Sequence, residues 1–98
     1  MSLALKDPGL LRTRAFIDGQ WIDADSGETL AVLNPASGET IAEVARCGQA
    51  ETRRAIAAAA RAQQDWARRT AKERAVLLRK LFDLMMANQE DLARILTA

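Results

Sequence analysis

The sequence contains no histidine and a single cysteine in 98 residues. Without histidine there is no usual general base, no usual zinc ligand, and no Ser–His or Cys–His pair. One cysteine, Cys47, excludes an internal disulfide and a cysteine-rich metal site, and it fits a reduced, cytoplasmic setting. Neither sign of charge is in excess. The 14 basic and 13 acidic residues leave a net +1, which gives no field to draw in nucleic acid, acidic substrates or an anionic membrane. No apolar run approaches the length of a membrane span. Met1 to Leu11 includes Lys6 and Asp7 and lacks the continuous apolar stretch of a signal peptide. Phosphate-binding loops are missing as well. Gly9, Gly19, Gly27, Gly38 and Gly48 stand far apart and form neither G-x-G-x-x-G nor G-x-x-x-x-G-K. Asp18, Asp23, Asp25, Glu28, Glu39 and Glu43 lie in turns and strand edges, where carboxylates are solvated or hold turns, and they do not read as a general acid–base pair.

What is present is one domain at most, of α+β class: strands and turns over residues 15–46, then helices over residues 50–98. Asp7-Pro8 reads as a cap followed by proline at the first helical position, opening a single turn. Ala15-Phe16-Ile17 and Gln20-Trp21-Ile22 flank Asp18-Gly19. Two residues of this type between β-formers predict a hairpin, because a type I′ turn needs positive φ at both centres. Asp25-Ser26-Gly27 marks the next turn. Leu30 to Leu33 and Ile41 to Ala45 are the following strands, joined by Asn34-Pro35-Ala36-Ser37-Gly38-Glu39.

From about Ala50 the apolar period becomes 3.6. Thr52, Ala55, Ile56, Ala59, Ala60, Gln63, Trp66 and Ala67 fall on one face of the helix, and Arg54, Arg61, Asp65 and Arg68 on the other. Arg61 and Asp65 are spaced to pair weakly. Thr70 and Glu73 form a capping box. Leu77, Leu78, Leu81, Phe82, Leu84 and Met85 make a broad apolar stripe. Asn88, with Asp91 three residues on, reads as a further cap. The arginines and lysines of this half are interrupted by Asp65, Glu73 and Asp83, as on a solvated helix face, so nucleic-acid binding is not expected. Cys47 reads as a small, half-buried structural residue, and Trp21 and Trp66 as packing residues. Thr97-Ala98 brings neither glycine, proline nor a basic last turn. The last helix is therefore expected to continue in a longer parent protein.

The order and spelling of these segments resemble a known family. Phe16 to Asp23 (Phe-Ile-Asp-Gly-Gln-Trp-Ile-Asp) looks like the opening strands of the aldehyde dehydrogenase superfamily. Asn34 to Glu39 resembles its Asn-Pro-(Ala/Ser)-(Thr/Ser)-Gly-Glu turn, and the alanine-rich helix ending in Trp66, followed by Arg74, matches its Trp…Arg pattern. Further spelling is similar to the succinate-semialdehyde dehydrogenases: Leu10-Leu11-Arg12, Gly48, Glu51 to Ile56, Thr70 to Arg74, Asp83 to Met86, and Asn88 to Arg94. Glutarate-semialdehyde dehydrogenases are similar over the same stretches.

The resemblance implies that residues 1–98 are the N-terminal segment of a cofactor-binding domain, truncated before its Rossmann-type core, in a larger α/β protein. It implies a parent enzyme that oxidises succinate semialdehyde to succinate with NAD or NADP, works as a homo-oligomer, and continues past Ala98 into Glu-Gln-Gly-Lys. The nucleophilic cysteine, general-base glutamate, oxyanion-binding asparagine and cofactor-binding lysine of the family would all lie beyond Ala98. Cys47 does not take the nucleophile's role. No catalytic, cofactor-binding or metal residue is assigned within the segment, apart from a structural monovalent cation that some family members hold through backbone carbonyls at the positions of Val32 and Leu33. The 98 residues alone are expected to be inactive. A competing reading is a non-catalytic interaction module that uses the apolar stripe from Leu77 to Met85.

Overall fold

Asp18 and Gly19 both adopt left-handed backbone, with φ of 52° and 74°, as a type I′ turn requires. In the computed structural model, which describes residues 3–98, they join β1 (Ala15–Ile17) to β2 (Gln20–Ile22). The strands are antiparallel, with Phe16 opposite Trp21. Their rings lie 4.8 Å apart at 56°, and the Arg12 guanidinium sits 4.7 Å above the Trp21 ring. Phe16 is 59% and Trp21 40% exposed. The pair is thus a surface cluster, and Trp21 does not enter a core.

A second antiparallel hairpin pairs β3 (Thr29–Leu33) with β4 (Thr40–Ala45), with a slip in register between Val32 and Leu33. The loop between them closes on itself. Asn34 N–H donates to Glu39 C=O at 2.8 Å, and Gly38 N–H donates to Asn34 C=O at 2.7 Å. The Asn34 side-chain oxygen also accepts from Ala36 N–H at 2.9 Å. Proline is tolerated here because the turn needs no donor at Pro35. Ala45 N–H donates to Thr13 C=O, tying the end of β4 to the stretch before β1, and Arg46 N–H donates to Glu28 C=O across the open end of the hairpin, both at 2.9 Å.

Three helices follow among the described residues: α1 (Gln49–Arg68), α2 (Ala71–Ala87) and α3 (Gln89–Thr97). The short side chains of α1 let β1 and β2 approach it. Ala55, Ala58, Ala59 and Ala62 lie beside Phe16 and Ile17. The Thr70–Glu73 capping box forms in both directions, at 3.1 and 3.2 Å. Two expectations are corrected. Arg61 bridges to Asp18 at 3.5 Å, while Asp65 pairs with Arg69 at 3.0 Å. The hairpin tip brings a carboxylate to Arg61, and Arg69 is the next cation one turn after Asp65. Asn88 does not cap α3 with its side chain. Its amide group donates back to Leu84 C=O at 2.9 Å, closing the end of α2.

Ala24, at 6% exposure, is the buried apolar residue among those described. The Cα radius of gyration is 16.5 Å, against about 13 Å for a compact domain of this length. This segment is therefore an open layer of elements. Among the described residues no helix is long and apolar enough to cross a membrane.

Replacing Gly19 with alanine is expected to destabilise the hairpin by roughly 1–2 kcal/mol, because the new Cβ meets the left-handed penalty. Gly19→Asn is expected to cost less. Denaturant unfolding followed by tryptophan fluorescence, with Trp66 replaced by phenylalanine so that Trp21 alone reports, separates the two variants.

Candidate functional site

The most constructed polar sites are two carboxylates, each three residues past a helix cap. Glu51 stands in the first turn of α1 and is 4% exposed. One of its oxygens accepts Gly48 N–H at 2.7 Å and the other accepts Asp25 N–H at 2.8 Å. The Asp25 bond is the main reason that Glu51 ionises below the usual carboxylate range. The Gly48 N–H and its own backbone N–H add to the effect. Beside it, Arg54 grips the Asp25 carboxylate with two bonds of 2.8 and 2.9 Å. That fork lowers the Asp25 pKa and raises that of Arg54. Gly27, with φ of 73°, turns the chain so that its N–H reaches Ala24 C=O at 2.8 Å. The whole corner after β2 is thereby fastened to the start of α1.

Asp91 does the same work at α3. It is 5% exposed and accepts Lys6 N–H and Asp7 N–H, both at 2.9 Å. Lys6 N–H and then Asp7 N–H hold its pKa below the ordinary value. Asp7 in turn accepts Gly9 N–H at 3.0 Å, capping the 3₁₀ turn Pro8–Leu10.

Chemically these groups are anchors. A carboxylate whose lone pairs are filled by backbone donors and whose pKa is depressed makes a poor general base at neutral pH. Cys47 is exposed, not half-buried as expected, because the link from β4 to α1 runs across the surface. A cleft of 330 Å³ between the first hairpin and α1 contains Arg54 and Arg61, but Asp25 and Asp18 face those cations. Val32 and Leu33 flank the register slip in β3. Among the described residues there is no group of three or more His, Cys, Asp or Glu side chains arranged to hold a metal. Glu51 and Asp91 were not singled out as anchors from the sequence. Their spacing after Gly48 and Asn88 was visible, but the N–H groups of Asp25, Lys6 and Asp7 that they bind lie far away along the chain.

Residues 21–98 match the family model described as the aldehyde dehydrogenase family. The chain belongs to the aldehyde dehydrogenase family. It is 59% identical to the 3-sulfolactaldehyde dehydrogenase of Pseudomonas putida over 98% of its own length. Identity is 56% to the glutarate-semialdehyde dehydrogenase of Pseudomonas aeruginosa, over 97%. It is 50% to the NADP(+) succinate-semialdehyde dehydrogenase of Escherichia coli, also over 97%. In each case the chain spans about a fifth of the relative, 20%. Two solved structures superpose closely. The aldehyde dehydrogenase of Brucella melitensis biovar abortus gives a TM-score of 0.93 at 50% identity, covering 98% of this chain and 20% of that one. The succinate-semialdehyde dehydrogenase of Burkholderia pseudomallei gives 0.91 at 53%, covering 96% and 20%. The paired hairpins followed by helices are thus an aldehyde dehydrogenase architecture, as the sequence resemblance implied.

The anchors carry a pH dependence. Glu51 and Asp91 ionise more readily in the folded than in the unfolded chain, so their stabilisation is present above the ordinary carboxylate pKa of about 4. It is lost as pH falls through their depressed folded values. Unfolding midpoints are expected to be level near neutrality and to drop steeply below about pH 4. The double variant Glu51→Gln, Asp91→Asn should start less stable and show a shallower acid slope. An unchanged slope would remove both carboxylates from this role.

Proposed function

We propose that this chain is the leading structural segment of an NAD(P)-dependent aldehyde dehydrogenase whose substrate is a short aldehyde carrying an acidic group at its far end. The names of three close relatives carry this reading. 3-Sulfolactaldehyde, glutarate semialdehyde and succinate semialdehyde share an aldehyde at one end and a sulfonate or carboxylate at the other. The sequence resemblance pointed to succinate semialdehyde; the class as a whole fits the spread of relatives better than any single member.

Within that enzyme residues 1–98 supply scaffold, and the reacting groups are assigned to the four fifths of the relatives' length that this chain does not span. NAD or NADP, when bound to the whole enzyme, accepts the hydride. The residues described here do not fit such a cofactor. The natural anion sites are the helix N-termini, and the first turns of α1 and α3 already hold the protein's own anions, Glu51 and Asp91. Gly19, Gly27 and Gly38 have positive φ and sit in turns and do not form a phosphate cradle.

The test is to express the dehydrogenase polypeptide that carries this segment and follow nicotinamide reduction with the three acidic aldehydes and with butyraldehyde. Acidic aldehydes are expected to exceed the neutral one in kcat/KM by at least about tenfold, since a buried cation in the pocket would lose its partner with butyraldehyde. The isolated 98-residue chain is expected to reduce no nicotinamide. Equal rates on all four aldehydes would refute the substrate class; turnover by the isolated chain would refute the scaffold role.

A further inference from the structure

Aspartate followed by glycine carries a chemistry of its own. The backbone nitrogen of the second residue attacks the side-chain carboxyl of the first, and glycine, having no Cβ, hinders that attack least. Asp18-Gly19 is such a pair, and the first hairpin places it at its tip. The Asp18 side chain is 73% exposed, and its ion pair spans 3.5 Å to an Arg61 that is itself 67% exposed. Nothing lies within 4 Å of where a side chain on Gly19 would stand. The strands behind the tip share three residue pairs. A two-stranded hairpin is marginal by itself, so its tip opens locally at little cost.

The fold closes the other candidates. Asp7 and Asn34 precede proline, which has no N–H to lose. Asp65, Asp83 and Asp91 lie within helices, where the next N–H is bound to a carbonyl one turn back. Asp23 precedes Ala24, which is buried. Asn88 gives its side-chain nitrogen to Leu84 C=O at 2.9 Å. Asp25 precedes the small residue Ser26, but Arg54 grips its carboxylate at 2.8 and 2.9 Å and Glu51 accepts its N–H at 2.8 Å. Among the described residues Asp18 is left.

We propose that Asp18 is a covalent modification site, which isomerises to isoaspartate through a cyclic succinimide with Gly19 at a rate set by opening of the hairpin tip and release of Arg61. The step needs no co-reactant but water. A bond forms between the Gly19 nitrogen and Asp18 Cγ. The proton of that nitrogen and one carboxyl oxygen, protonated from solvent, depart as water. Water then opens the ring at one of its two carbonyls. Breaking the bond from nitrogen to Cγ restores aspartate. Breaking the bond from nitrogen to the main-chain carbonyl carbon leaves the chain running through Cβ and Cγ, with a free α-carboxylate and unchanged mass. The product adds a methylene to a two-residue loop that depends on left-handed backbone at both positions. The carboxylate that faced Arg61 is displaced, and the tip loses this tie to α1.

The experiment incubates the dehydrogenase polypeptide that carries this segment in neutral buffer at physiological temperature. New isoaspartate is read as methyl groups accepted from S-adenosylmethionine by an isoaspartyl O-methyltransferase. It is located by mass spectrometry of peptides from a protease that cuts before aspartate but not before isoaspartate. Aldehyde oxidation is not part of the readout, so the result stands apart from the functional reading. Conversion is expected at Asp18, and at least about tenfold less at Asp25, whose carboxylate must first leave two charge-assisted bonds. In strong denaturant Asp25 is expected to react as well. Arg61→Gln is expected to speed conversion of Asp18 about two- to fivefold, the range of an exposed ion pair. Asp18→Glu is expected to abolish methyl acceptance at the tip, because its ring would need one more atom. Equal conversion of Asp18 and Asp25 in the folded polypeptide would overturn the proposal, as would an Asp18 that stays intact while the denatured control reacts. An unchanged rate in Arg61→Gln would overturn the part assigned to Arg61.

Discussion

Glu51 is the point at which the two halves of the segment are joined. Its carboxylate takes an N–H from the corner after β2 and another from the residue capping α1. Both the first hairpin and the long helix are therefore positioned by one side chain. The anchor works because a helix N-terminus leaves N–H groups without partners and carries partial positive charge. A carboxylate there is welcome, and one with an oxygen to spare can recruit a second element. The Asp25–Arg54 fork then sits alongside, fixing the angle at which the corner meets the helix. With Ala24 as the buried apolar residue at this corner, hydrogen bonds do the locating that side-chain packing does in a closed domain.

Local structure was legible in the sequence because local forces decide it. Asp18-Gly19 dictated its turn through backbone sterics, Asn34 to Glu39 through an amide that folds back on its own backbone, and Thr70 with Glu73 through a reciprocal cap. What was not legible depends on encounters between distant residues. Arg61 had Asp65 one turn away, yet the hairpin tip delivers Asp18 instead. Asn88 had the spelling of an N-cap, but the preceding helix ends one residue earlier and claims its side chain. Asp91 was read as part of that cap, whereas its acceptors are filled by backbone from the opposite end of the chain. Cys47 was read as half-buried because no histidine is present to make it a nucleophile; the link in which it lies runs exposed.

The apolar content follows the same logic. Period and composition placed the leucines of α2 on a stripe correctly, but the side of a stripe that meets protein is not written in the stripe itself. The breadth of the arc is the part that sequence does express. It is wider than the stripe of a surface helix, and within the proposed longer dehydrogenase it would be covered by parts of the fold outside these residues.

Asn88 serves as the last residue of one helix and the first of the next, and its hydrogen-bonding capacity is used on the first. The opening turn of α3 is left to Asp91, whose donors are supplied by Lys6 and Asp7. On a ribosome those two residues emerge before almost everything else in the segment. They must wait, unpaired, until the chain is long enough for Asp91 to appear. Docking of the chain's start onto this layer thus waits for its last helix, while the hairpins and α1 can already be joined through Glu51.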